Sequence, residues 1–331
     1  MTDAVETGTR ARARSVGDGA EPATPIRYVC MPGSPYTGST LLGLLLDGHP
    51  ACASIGAATG LTSGVDLTTY ACSCGVRFLD CPFWDRVARR TEELGHPVTV
   101  FQNDYWNTHV RVSRRRWLNG ILVRSLGRSS LTAARDATVW RLGPLQRRMS
   151  AARNATWSLA QAVLEATGKS VFVDTARDHQ RPKYLSRYPK LDLRVIHLVR
   201  DPRGNAASIV KHTGVDVPKA AHQWRHYNLE ADRVRRFVPP ESWLRLHYED
   251  LCADPQGTLD EIARFIGVEP APISADPQVG NQHVIGNSMR LRGIGEIRED
   301  RSWETKLDAD DLRAIARITG SASHRLGYTW P

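Results

Sequence analysis

The chain has 331 residues, 41% of them hydrophobic, enough for one large α/β domain or two smaller ones with a sizeable core. No run approaches the ~20 apolar residues of a membrane helix, and the polar stretch from Met1 to Pro25 lacks the apolar segment of a secretory signal, so a disordered tail on a cytoplasmic protein is expected. The net charge of +9 favours anionic partners without choosing among nucleic acid, membrane surface and phosphorylated small molecules.

Ile26 to Met31 is a short apolar run, β-branched at Ile26 and Val29, and predicts a buried strand. Pro32, Gly33, Ser34 and Pro35 break it, and Thr40 to Leu46 resumes as an apolar helical run. Between them, Gly33, Gly38, Ser39 and Thr40 form G-x-x-x-x-G-S-T, a P-loop pattern with serine in place of lysine. A glycine-rich turn lets successive amides point inward, and the helix N-terminus adds partial positive charge, so an oxyanion fits there. The lysine of that pattern reaches the β- and γ-phosphates of a nucleoside triphosphate. Its absence points to a different oxyanion.

His49 to Ser73 is rich in Ala, Gly, Thr and Ser and reads as irregular structure over the rim of a sheet. Cys72-Ser73-Cys74-Gly75 and Asp80-Cys81-Pro82-Phe83-Trp84 follow. These three thiols can supply three zinc ligands, with a fourth from Cys52 or His49. No second paired motif follows, so the expectation is a packed, oxidisable thiol-rich turn and no required metal. Asp85 to Leu94 reads as a helix. From Val110 to Met149, arginines (Arg111, Arg114, Arg115, Arg116, Arg124, Arg128, Arg135, Arg141, Arg147, Arg148) interleave with Trp117, Leu118, Ile121, Leu122 and Leu126. Helical spacing of the apolar residues predicts an amphipathic insert over 110–149 with a basic outer face, placed to act as a substrate-facing lid.

Strands and helices then alternate. A helix over Asn154 to Ala166 stops at Gly168, and Ser170 to Val173 is a short strand ending in Asp174-Thr175-Ala176-Arg177. Tyr184 to Tyr188 is a helical piece. Leu193 to Val199 is the strongest strand signal and reads as fully buried; Arg200-Asp201-Pro202-Arg203-Gly204 ends it, and a helix begins over Asn205 to Lys211. A longer helix over His222 to Arg235, a strand over Trp243 to Leu246 and a helix through Leu259, Ile262, Phe265 and Ile266 complete the pattern. The fold class implied is α/β, a central parallel sheet flanked by helices. Ligands then sit at the carboxyl ends of the strands, where the loops after Met31, Val173 and Val199 converge.

Those loops resemble the family of sulfotransferases that use 3′-phosphoadenosine 5′-phosphosulfate (PAPS). Gly33-Ser34-Pro35-Tyr36-Thr37-Gly38-Ser39-Thr40-Leu41 is similar to the family's loop for the 5′-phosphosulfate. Leu198 to Ser208, with an arginine closing the strand and a serine eight residues on, is similar to its 3′-phosphate segment. Val173-Asp174-Thr175, Leu246 to Leu251, His283-x-x-Gly286-Asn287-x-Met289-Arg290 and Gly293 to Trp303 add to the likeness, as does the cysteine block, which recurs in bacterial members. The resemblance spans about Ile26 to Trp303, with the insert less matched, and implies a P-loop-like sulfotransferase architecture in one domain over 26–331.

It implies PAPS as cosubstrate, PAP as product and a small-molecule hydroxyl as acceptor, without a metal. Ser34, Tyr36, Thr37, Gly38, Ser39 and Thr40 take the 5′ end on this reading, Arg200 and Ser208 the 3′-phosphate, and Arg290, Arg292 and Gly293 close over it. Arg290 and Arg292 have Glu296 and Asp300 as alternative partners. Many relatives carry Lys or Arg where Tyr36 stands, so leaving-group charge is expected to be met by Arg177. The general base, which relatives draw from a histidine or a glutamate, is sought at Asp174 or His49. Two other functions fit parts of the chain. A P-loop kinase needs Mg²⁺–ATP and the missing lysine, with Asp174 as metal-side carboxylate. A nucleic-acid-binding module needs only the arginine-rich insert, but no recognition motif accompanies it.

Overall fold

Five strands form one parallel sheet in the order β2-β3-β1-β4-β5, namely β1 Ile26–Cys30, β2 Cys52–Ser54, β3 Val171–Asp174, β4 Leu191–Val199 and β5 Trp243–His247. The computed structural model describes residues 24–61, 65–102, 105–110, 116–123, 129–139, 141–274, 283–286 and 288–330. The tail expectation and Arg111, Arg114, Arg115, Arg124, Leu126, Arg128 and Asn287 fall outside them. The helices are α1 Ser39–Asp47, α2 Pro82–Glu93, α3 Arg116–Val123, α4 Ser129–Val139, α5 Gly143–Thr167, α6 Arg181–Leu185 and α7 Pro202–Thr213. Beyond these lie α8 Val217–Arg235, α9 Tyr248–Ala253, α10 Pro255–Ile266, α11 Met289–Arg292, α12 Trp303–Lys306 and α13 Ala309–Arg325.

Alternation along the strands builds a core on each face of the sheet. Tyr28, Cys30 and Phe172 pack with Trp84, Leu159 and Val163 from α2 and α5. Val29, Val173, Ile196 and Leu198 pack with Leu42, Leu45 and Ile262 from α1 and α10. Burial on both faces explains the continuous apolar run of β4. The chain lays β2 and β3 on one side of β1 and β4 and β5 on the other, so the order reverses at β1. The carboxyl ends of β3, β1 and β4 therefore border the crevice where ligands bind in such sheets. No helix among the described residues is long and apolar enough to cross a membrane.

Several expectations change. The stretch read as irregular from His49 contains the edge strand β2, whose three residues carry no β-branched signal. The basic insert does not end at Met149, because α5 starts at Gly143 and runs unbroken through it. Nor is its charge all on an outer face. Arg135 is half-buried, bonded to Asp136 and to the Ile121 carbonyl, and buried Asp136 also pairs with buried Lys183 at 2.7 Å. The C-terminal helix α13, capped by Asp308, packs on α7 and α8 and extends the fold beyond the stretch that carried the resemblance.

Candidate active site

The loop after β1 is built to expose amides. Gly38 is the N-cap of α1 at φ 91°, and a Cβ there would meet the Tyr248 ring at 2.7 Å, so only glycine fits. It provides no side-chain cap, and the first turn of α1 holds no acidic residue, so the leading amides keep their partial positive charge for a ligand. By contrast, α7, α8, α10 and α13 each have an aspartate accepting from their first-turn amides. Ser34 and Thr37 are buried and shape the loop from inside. Ser34 Oγ donates to Asn205 Oδ1 (3.0 Å), Asn205 Nδ2 to the Pro35 carbonyl (2.7 Å), and Thr37 Oγ1 to the Ser34 carbonyl (3.2 Å). Ser39 is buried and Thr40 half-buried at the start of α1. Tyr36 lies at φ 62°, a left-handed conformation for a non-glycine residue. Its ring stacks on His212 of α7 (5.0 Å, 7°), and its carbonyl accepts from Arg200.

Arg200 closes β4 and is 6% exposed. Nη1 donates to Ser208 Oγ (3.0 Å) and to the Tyr36 carbonyl (3.1 Å), so the spacing seen in the sequence becomes direct contact. Nη2 donates to the Asp300 carbonyl (3.0 Å), with the Asp300 carboxylate, half-exposed, at 3.6 Å. The guanidinium lies 4.5 Å from the centre of the Tyr248 ring, and Gly204 leaves it room, since a Cβ there would meet Nε at 3.2 Å. No buried carboxylate neutralises it among the described residues. A half-exposed carboxylate meets a buried cation's charge only in part, so the arrangement suits an incoming anion.

The loop after β3 corrects the expected base. Asp174 is fully buried, accepts from Tyr28 Oη (2.7 Å) and the Ala58 and Ala176 amides (2.8 Å each), and forms an ion pair with Arg181 Nε (2.7 Å). With its lone pairs so engaged it anchors the loop, and neither proton transfer nor a kinase metal is open to it. His49 follows α1 at the amino edge of the sheet, away from the crevice, with Nε2 at the Glu269 carbonyl (3.0 Å) and Nδ1 accepting from the Ala51 amide (3.1 Å). Arg177 is exposed and makes no hydrogen bond or ion pair among the described residues.

A pair the sequence did not single out stands beside Arg177. His109 Nδ1 lies 3.2 Å from Asp178 Oδ2, and Asp178 also accepts from Tyr184 Oη (3.1 Å). Burial alone raises the Asp178 carboxyl, but the bond and charge of His109, with His179 and Arg181, outweigh it and hold the group well below the usual carboxylate range. The neighbouring Thr108 donates to the Ala58 carbonyl (2.6 Å), which sets His109 above the carboxyl ends of β2 and β3. About 70 residues separate the partners in sequence, so no local pattern reveals them.

The late arginines also differ from expectation. Arg290 donates to the Gly286 and Ala71 carbonyls (2.8 and 2.9 Å) and lies over the Tyr70 ring (4.3 Å), so it pins its own segment to residues 70–71 instead of reaching Arg200. Arg292 is exposed and donates to Ser288 Oγ (3.1 Å). Of their two alternative partners, Glu296 lies 3.9 Å from Arg298, and Asp300 belongs to Arg200. Gly293, at φ 73°, ends α11 and turns the chain into the segment that reaches Asp300.

The family model described as "Sulfotransferase family" matches residues 96–272, more than half of the chain. Carbohydrate sulfotransferase 1 of Danio rerio is 27% identical over 173 residues, 44% of this chain and 40% of that protein. Carbohydrate sulfotransferase 2 of Homo sapiens is 24% identical over 192 residues, 44% of this chain and 36% of that protein. The chain thus spans well under half the length of either relative. Among solved structures, the sulfotransferase domain of the Synechococcus PCC 7002 olefin synthase is similar in fold, with a TM-score of 0.50 and 21% identity over 94% of this chain and 98% of that one.

Proposed function

The chain belongs to the sulfotransferase family, and from that premise we propose that it moves a sulfuryl group from PAPS to a hydroxyl of a small molecule and releases PAP. The observation that carries this is Arg200. It is a buried guanidinium joined to Ser208 and to the β1 loop, and it lacks a buried counter-ion. A dianionic phosphate on this fork more than offsets the guanidinium charge and gains charge-assisted bonds. The uncapped N-terminus of α1 supplies a second anion site beside it, which suits a donor charged at both ends.

In the proposed transfer, the acceptor oxygen attacks sulfur while the bond from sulfur to the bridging oxygen breaks and PAP departs. The Asp178 carboxylate, 3.2 Å from His109 Nδ1, favours a proton on that nitrogen, which leaves Nε2 to take the acceptor's proton. Arg177 meets the charge on the departing phosphate, which Tyr36 cannot do with its ring stacked on His212. The carbohydrate sulfotransferases among the relatives make sugar hydroxyls the first acceptors to screen. The test is calorimetric titration with PAP and with ATP–Mg²⁺. PAP binding without magnesium, weakened in Arg200→Ala, is expected; equal PAP affinity in that variant, or preference for ATP–Mg²⁺, overturns the reading.

A further inference from the structure

Cys72, Cys74, Cys81 and His283 bring one ligand atom each to a single point, all within 4.8 Å of one another. Three come from the turn between β2 and α2 and the fourth from the segment before α11, 202 residues beyond Cys81. We propose that these residues form a closed zinc site that fastens the segment carrying α11 to the cysteine turn.

The distances fit one tetrahedral ion. Ligands placed 2.3 Å (sulfur) and 2.0–2.1 Å (nitrogen) from tetrahedral zinc lie roughly 3.8 Å apart for two sulfurs and roughly 3.6 Å for sulfur and nitrogen. Here Cys74 Sγ and Cys81 Sγ are 3.7 Å apart, and His283 Nδ1 is 3.6 Å from Cys72 Sγ and 3.4 Å from Cys81 Sγ. The sulfurs also receive the support that thiolates need. The Phe83 and Trp84 amides, in the first turn of α2, donate to Cys81, and the Cys74 amide donates to Cys72. The His283 ring is oriented by stacking on Phe83, with centroids 4.1 Å apart and planes at 2°. Arg86 lies within electrostatic reach of His283 and offsets the single negative charge of three thiolates, a neutral imidazole and Zn²⁺.

Soft thiolates with imidazole in a tetrahedron select zinc over calcium, magnesium or manganese. With all four positions filled by protein the site is structural, open to neither water nor substrate. Loading it sends the three thiol protons to solvent. The polar contacts around it run the same way. The Val284 amide donates to Ser73 Oγ (2.8 Å), the Gly286 amide to Tyr70 Oη (2.8 Å), and Arg290 spans both segments.

The test is elemental analysis of untagged wild-type protein purified without chelator, followed by cobalt exchange. About one zinc per chain is expected, with cobalt giving the visible bands of tetrahedral thiolate ligation. Cys74→Ser and His283→Ala are expected to lose most of the metal, whereas Cys52→Ser and His49→Ala keep it. Reduced wild-type protein that takes up neither zinc nor cobalt overturns the proposal, as does a Cys74–Cys81 disulfide in the native protein. The wild-type measurement decides even if a variant does not fold. PAP binding does not enter it, so failure here leaves the sulfotransferase reading untouched.

Discussion

Two arginines are buried in this molecule in opposite ways. Arg181 is 0% exposed and charge-paired, with the Asp174 carboxylate at 2.7 Å, the Tyr28 hydroxyl at 2.6 Å and the Thr108 carbonyl at 3.0 Å. Burial alone lowers its pKa, yet the charge of Asp174 overrides that, and the group is held well above the usual arginine value. Arg200 is buried almost as deeply but rests on carbonyls and one hydroxyl, with only half-exposed Asp300 near its charge. The first arrangement is finished by the chain itself. The second leaves the charge only partly met by the chain, and the proposed function completes it with a phosphate. Three residues before Arg200 on β4, His197 shows a third solution: burial, with Arg245 and His247 adding to it, drives its pKa down to about 4 against the bond to Asn228, so it is buried by discharging.

Each solution breaks differently. The largest effect is expected at His109, where the proposed proton transfer resides. His109→Ala should lower kcat roughly 10²- to 10⁴-fold with PAP affinity little changed, as read by steady-state kinetics beside calorimetry. Arg181→Met strands the Asp174 carboxylate and should cost about 3–5 kcal/mol of stability in urea unfolding. His197 gives a pH signature. Its pKa is near 6.5 unfolded and about 4 folded, so between these values the unfolded chain binds the extra proton. Stability from this residue is full above pH 6.5 and falls as pH drops towards 4, by about 3 kcal/mol, and His197→Gln should flatten that slope. Arg200→Ala should weaken PAP binding at least about thirty-fold while leaving the urea midpoint unchanged or raised, the reverse of Arg181→Met. Ser208→Ala, which removes a single hydroxyl donor, should weaken PAP by about 1 kcal/mol, or roughly five-fold.

What could be read beforehand follows the span over which each feature is encoded. The buried strand β4, the β1 loop and the Arg200–Ser208 spacing each lie within a dozen residues, so periodicity and spacing expose them. The sheet was legible except for β2, whose Cys-Ala-Ser carries little strand propensity and gains its pairing only from β3. His109 with Asp178, and His283 with the three cysteines, are joined only by folding. Nearness in sequence to Cys72 offers instead Cys52, which lies buried in β2, and His49, which bonds the Glu269 carbonyl. Asp174 misled for a related reason: a carboxylate at a strand end looks reactive until the donors converging on it from Tyr28, Ala58 and Arg181 are counted.

Asp300 carries a kinetic consequence. Its carbonyl and carboxylate lie against Arg200, where the proposed function seats a phosphate, and it belongs to the segment that runs from Gly293 to Trp303. Under the proposed function, Asp300 is an internal competitor, tethered at high effective concentration, whose affinity is subtracted from that of the bound nucleotide. On that reading, departure of the nucleotide is an exchange, in which the returning carboxylate replaces the phosphate on the guanidinium. A tether of this kind gives up some equilibrium affinity and gains turnover, because the product leaves without the full cost of uncovering a buried charge.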